Sequence, residues 1–242
     1  MNPAELEEPS RTAVVTGGSG GIGLACAEVL VACGYDVVLT ARTEGPLRAA
    51  AKRIGARWVA ADAADPGGFA RVVEAVERVD LLVHAAGTLA GTFVRKERLE
   101  DFDAVIRANL RSTLVTVQGV LPKMRAGGRI VLISSSSSES GMKGRSAYSA
   151  SKAGMNAFAE SLAAELERDG INVNVLIPAP VETPMLQDVA FEMHAIQPED
   201  VAGVVGFLDA LDPRVVVPRI SMRAAAEGPL AARTVIPPKA RA

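Results

Sequence analysis

Tyr148 and Lys152 stand four residues apart in YSASK, at the start of a run with helical periodicity, so their side chains share one face within mutual reach. A phenol titrates near 10 in water, and holding it as the phenolate at pH 7 costs about 4 kcal/mol. A neighbouring ammonium lowers that cost, which would let the pair pass a proton at neutral pH. Tyr-x-x-x-Lys is also a common chance pattern on helices, so its meaning depends on what the chain sets beside it.

TGGSGGIG, residues 16–23, follows the apolar run Ala13, Val14, Val15 and leads into a helical stretch near Ile22. Each glycine weakens a regular element by roughly 0.5 to 1 kcal/mol relative to alanine, so the cluster answers a backbone need. A strand, a glycine turn and a helix start aim free N–H groups and a positive helix end at one point, which makes an anion site. The letters fit two registers: Gly18, Gly20 and Gly23 match G-x-G-x-x-G, and Gly17, Gly21 and Gly23 match G-x-x-x-G-x-G. No Lys-Ser/Thr pair follows, which disfavours a nucleotide-hydrolysing loop. The next β-rich run ends in LTAR, with Ala41 and Arg42. A carboxylate there would accept both ribose hydroxyls and repel a 2′-phosphate, whereas an arginine does the reverse, so NADP(H) is expected over NAD(H).

The elements that must carry these residues alternate along the chain. Short β-rich runs occur at 12–16, 36–41, 57–60, 80–84, 129–134, 172–177 and 214–217, and helical stretches at 22–33, 46–54, 68–77, 99–124, 147–168 and 198–211. Alternation of this kind specifies βαβ units and a parallel sheet. Met155, Phe158, Leu162 and Leu166 lie three or four apart and give the fifth helix an apolar stripe. A chain of 242 residues suits one α/β domain, expected over 11–223, with an N-terminal tail at 1–10 and an Ala/Pro/Arg-rich C-terminal extension at 224–242 read as loop or tail. Hydrophobic residues at 49% and charged residues at 22% fit a soluble globular protein, and a net charge of -2 gives no polyanion-binding footprint, so nucleic acid is not an expected partner. An acidic start and the lack of an 18-residue apolar run point to no membrane span and a cytoplasmic location. Cys26 and Cys33, seven apart on one helix, are about 10 Å apart along its axis and cannot pair; both are expected to pack in the core.

Together these residues resemble the short-chain dehydrogenase/reductase family over about residues 11 to 217. The family's T-G-x-x-x-G-x-G motif selects Gly17, Gly21 and Gly23, with Ser19, Gly20 and Ile22 inside the same loop. HAAG resembles its N-N-A-G element, with His84 and Ala85 in place of the asparagines, and sets Ala85, Ala86 and Gly87 beside the cofactor. Asp62 in VAAD, followed by Ala63, takes the position that contacts adenine. PAPVET resembles P-G-x-x-x-T, which clasps the nicotinamide amide, through Pro178, Val181 and Thr183, with Ala179 replacing glycine. Asn109 in IRANL resembles the active-site asparagine, and the family's serine, 13 residues before the tyrosine, selects Ser135 from five consecutive serines.

The resemblance implies a Rossmann-type, doubly wound α/β fold: a seven-stranded parallel sheet with helices on both faces in a single domain. It implies an NADP(H)-dependent oxidoreductase acting between a carbonyl and an alcohol, without a metal. Tyr148 would act as general acid/base, Ser135 would hydrogen-bond the substrate oxygen, Lys152 would lower the tyrosine pKa and hold the nicotinamide ribose, and Asn109 would anchor a water. His84 is expected to be a packed strand-end residue. The segment between Thr183 and Pro198 is a short lid in which Met185, Leu186, Val189, Phe191 and Met193 would line an apolar mouth, suited to a medium-sized, partly apolar substrate; His194 is a further possible substrate contact. A homodimer or homotetramer is expected. The competing classes are a non-catalytic dinucleotide sensor on the same fold, which has no need of Asn109, Ser135, Tyr148 and Lys152 together, and a nucleotide-binding methyltransferase, which gives no reason for the tyrosine and lysine.

Overall fold

The structure, a computed structural model, describes residues 11–186, 193–225 and 235–236. Seven strands form one parallel sheet: β1 (Thr12–Thr16), β2 (Asp36–Ala41), β3 (Arg57–Ala60), β4 (Leu81–His84), β5 (Arg129–Ile133), β6 (Asn172–Pro178) and, after a separate two-residue strand β7 (Met193–His194), β8 (Arg219–Met222). Their order is β3-β2-β1-β4-β5-β6-β8. The chain winds outwards from β1 in one direction and from β4 in the other, so the crevice above the carboxyl ends of β1 and β4 is the topological switch point where such sheets take ligands.

Helices cover both faces. α1 (Gly21–Ala32), α2 (Glu44–Ile54) and α7 (Pro198–Asp209) lie on one, and α3 (Pro66–Glu74), α5 (Ser112–Val120) and α6 (Ser146–Leu166) on the other, with α4 (Leu99–Ile106) leading into α5. Strand alternation divides the core accordingly: Ala13 and Val15 of β1 join the first cluster, and Val14 joins the second. Met155, Leu162 and Leu166 are buried in the second core with Phe158 packed against it, as the apolar stripe requires.

The structure departs from the sequence pattern at four places. The last strand of the sheet is Arg219–Met222 and not 214–217. Pro213 and Pro218 bracket the valine run, and the carbonyls of Pro213 and Val217 accept from the side-chain amides of Asn172 and Asn174, at 2.7 and 2.6 Å, in place of a backbone ladder. The helical stretch 99–124 is interrupted by a π turn at Arg107–Arg111 and closes in a 3-10 turn at Leu121–Lys123. Cys26 is buried but Cys33, just beyond the end of α1, is exposed. The extension read as a loop or tail contains β9 (Val235–Ile236), whose β-branched pair runs antiparallel to β7. The proposed tail 1–10 lies outside the described residues. Among the described residues, no helix is long and apolar enough to cross a membrane, and no cluster of His, Cys, Asp and Glu could hold a metal ion.

Candidate active site

β1 delivers the chain into the glycine turn and α1 takes it away. Gly17 and Gly21 have φ of +70 and +53, which side-chain-bearing residues rarely adopt. A Cβ on Gly17 would sit 2.9 Å from the Ala85 carbonyl, and one on Gly23 would sit 2.4 Å from the Gly17 carbonyl oxygen. Gly20, with extended backbone, has open space around it. The geometry thus selects Gly17, Gly21 and Gly23, the second of the two registers. α1 has no side-chain cap and no acid in its first turn, which leaves its N–H groups for an anion.

Across the crevice, Thr16 Oγ1 accepts from the Ala86 N–H at 3.1 Å and so fixes the loop after β4. His84, fully buried, has Nδ1 3.1 Å from both Thr16 Oγ1 and Thr116 Oγ1, and Nε2 3.2 Å from Ser112 Oγ. Burial, with the nearby Lys152 charge, pushes its pKa down to about 3, so it is a neutral packing residue, as expected.

These loops enclose a cavity of about 410 Å³. Gly17, Ser19, Gly20, Gly21, Ile22, Gly23, Arg42, Asp62, Ala63, Ala85, Ala86, Gly87 and Thr183 all line it. Asp62 accepts from the Ala64 N–H at 2.9 Å and pairs with Arg107 at 2.8 Å. Burial opposes its ionisation, but those two donors outweigh it and hold the carboxyl below the usual range. A dinucleotide fits this cavity: the backbone cradle at Gly17 and Gly23 leaves no room for side chains, the helix end is open, and Arg42 is exposed with no hydrogen bond or ion pair to the described residues.

A smaller cavity of about 80 Å³ adjoins it and shares Ile22, Thr183 and Met185 as wall. Ser135 and Tyr148 line this one, with Leu89, Met142, Pro178, Val181 and Leu186. Ser135 opens the turn Ser136–Ser138, and its Oγ accepts from the Ser137 N–H at 3.1 Å. The Tyr148 pKa is raised by burial, with the Ser135 hydroxyl opposing through a hydrogen bond.

Lys152 is buried behind Tyr148 on α6. Its Nζ donates to the Ile133 carbonyl at 2.7 Å, and burial lowers its pKa to about 8. Asn109, in the π turn, accepts from the Thr88 N–H at 2.7 Å and donates to the Thr88 carbonyl at 3.1 Å and Ser151 Oγ at 2.9 Å. Ser151 Oγ in turn donates to the Tyr148 carbonyl at 2.7 Å. Asn109 and Lys152 therefore stand behind the cavities, where a Cβ on Gly87 would fall 2.9 Å from Asn109 Oδ1 and 3.8 Å from Lys152 Nζ.

In the short lid, Met185 and Leu186 line the smaller cavity, while Val189 and Phe191 lie outside the described residues. Met193 and His194 form β7, and exposed His194 lines neither cavity. Thr40, Arg107 and Ser112 line the larger cavity without having been picked out from sequence. The last two flank Asn109, but a helical period gives no sign of the π turn that points them inward.

The chain that folds into this β3-β2-β1-β4-β5-β6-β8 sheet is similar to known proteins. Residues 11–193 match the family described as short chain dehydrogenase, and the chain belongs to it. It is 35% identical over 220 residues to the 3-oxoacyl-[acyl-carrier-protein] reductase MabA of Mycobacterium tuberculosis, covering 84% of this chain and 87% of that protein. It is 34% identical over 193 residues to the 3-oxoacyl-[acyl-carrier-protein] reductase FabG of Escherichia coli, covering 76% and 79%. Among solved structures it is similar to a variant of the actinorhodin polyketide ketoreductase with NADPH, at a TM-score of 0.82 and 30% identity over 88% of this chain and 96% of that one.

Proposed function

We propose that this protein is an NADP(H)-dependent oxidoreductase that reduces the carbonyl of a medium-sized, partly apolar compound. The observation that carries the reading is the placing of Ser135 and Tyr148 in an apolar cavity whose wall is shared with the glycine-lined one. The dinucleotide supplies the hydride when bound. Gly17, Gly21 and the open end of α1 would hold its phosphates, Arg42 its ribose phosphate, and Pro178, Val181 and Thr183 its nicotinamide end.

Ser135 Oγ and the Tyr148 hydroxyl would hold the substrate oxygen, stabilising charge as it develops. Raised by burial, the phenol keeps its proton at neutral pH and can donate it to that oxygen, which suits reduction. Lys152 would steady the ribose, and Asn109, through Ser151, holds the backbone under Tyr148. Leu89, Met142, Met185 and Leu186 keep the mouth apolar.

The NADPH-bound and reductase relatives support the cofactor and the direction. A panel of ketones followed through the absorbance of NADPH tests this: consumption with at least one ketone is expected, and cofactor binding without turnover of any would favour a sensor. Arg42→Ala is expected to weaken NADPH far more than NADH in a fluorescence titration; equal loss overturns the cofactor assignment. A homodimer or homotetramer is part of the proposal, supported by the exposed Leu114 on α5 and Phe207 on α7, and is read by analytical ultracentrifugation.

A further inference from the structure

The larger cavity carries two guanidinium groups in different situations. Arg42 makes no hydrogen bond or ion pair with the described residues, while Arg107, at the first position of the π turn, is paired through Nη1 with Asp62 Oδ2 at 2.8 Å. Asp62 is the only acid among the described residues lining that cavity. Its other oxygen is taken by the Ala64 N–H at 2.9 Å, and it also feels the charge of Arg42. Both members of the pair are partly exposed, at 44% and 34% of their side chains, so the pairing contributes little to stability and shapes the local field instead. The two arginines and one aspartate give the cavity a charge of +1; without Arg107 it would be 0.

We propose that Arg107 is a specificity-determining residue for the phosphorylated dinucleotide, acting through Asp62: it neutralises a carboxylate that would otherwise repel the ribose phosphate at Arg42. The inference rests on the cofactor reading above. A carboxylate in a dinucleotide cavity selects against a 2′-phosphate by repulsion, and here the carboxylate is kept for its place in the wall while its charge is cancelled. The free partner is left to the phosphate.

The test is binding of adenosine 2′,5′-bisphosphate and of AMP by calorimetry, on the full chain and on Arg107→Met, Asp62→Asn, the double variant and Arg42→Ala. Arg107→Met should lower the ratio of bisphosphate to AMP affinity roughly three- to tenfold, the size expected of one unit charge in a partly solvated site. Adding Asp62→Asn should restore the ratio. Equal weakening of both nucleotides by Arg107→Met would make the pair structural, and failure of Asp62→Asn to restore the ratio would mean direct contact with phosphate; either overturns the proposal. Arg42→Ala separates the two levels. If it too leaves the ratio unchanged, the cofactor reading fails as well, whereas selective loss there alone refutes only the role of Arg107.

Discussion

Tyr148 is surrounded by protein on nearly every side, and burial holds its proton in place. Tyr148→Phe keeps the ring and its packing while removing the transferable proton, so turnover is expected to fall by at least about 100-fold, in line with loss of a general acid. The dissociation constant of NADPH, read by fluorescence, should change little. His84 makes the opposite case. Its three hydroxyl neighbours join β1, β4 and α5 in the core, and it stays neutral down to about pH 3. His84→Leu leaves Thr16 Oγ1 without its ring partner and is expected to cost about 1–3 kcal/mol in denaturant unfolding. The sequence set the two residues apart because each sits in a motif whose neighbours were recognisable. It did not reveal that Lys152 turns to the Ile133 carbonyl, since spacing along a helix says which residues share a face and nothing about what else that face meets.

The glycine turn was legible because its constraint is backbone on backbone: the strand, turn and helix boundaries all follow from the letters. Gly23→Ala would push a methyl group into the Gly17 carbonyl. The expected outcome is a folded protein, by circular dichroism, whose dinucleotide affinity falls at least tenfold as the turn shifts. The π turn at Arg107–Arg111 was not legible, because its extra residue hides inside a segment whose apolar spacing still reads as one helix. Deleting Ala108 would return the segment to ordinary helical phase and rotate the residues on one side of the deletion by about 100° relative to the other. Loss of turnover with retained helicity is expected, because Asn109 would leave Thr88 and Ser151. The valine run at 215–217 misled for a different reason. Propensity marks residues fit for a sheet, but the prolines on either side and the Asn172 and Asn174 amides decided that the following four residues would join it.

For the whole molecule, the alternation of strands and helices and the two apolar faces of the sheet were readable from pattern alone. The depth at which charge is buried was not, and it has a global effect. Lys152 carries a pKa of about 8 in the folded chain against a usual 10.5, because burial penalises the ammonium. The unfolded chain therefore holds more protons between pH 8 and 10.5, and this group's contribution to stability rises with pH across that window. Below pH 8 it opposes folding by about 3 kcal/mol. Comparing wild type with Lys152→Met by denaturant midpoint should show the variant gaining relative stability as pH falls from 10.5 to 8, and a parallel pair of curves would contradict this. The two cavities share Ile22, Thr183 and Met185 as a common partition. Occupants of the two chambers would touch opposite sides of that partition, and any factor by which one alters the affinity of the other is returned in equal measure. A compound that tightens the hold on the nucleotide will be gripped more tightly by nucleotide in return, and one that pushes the partition the wrong way will expel it.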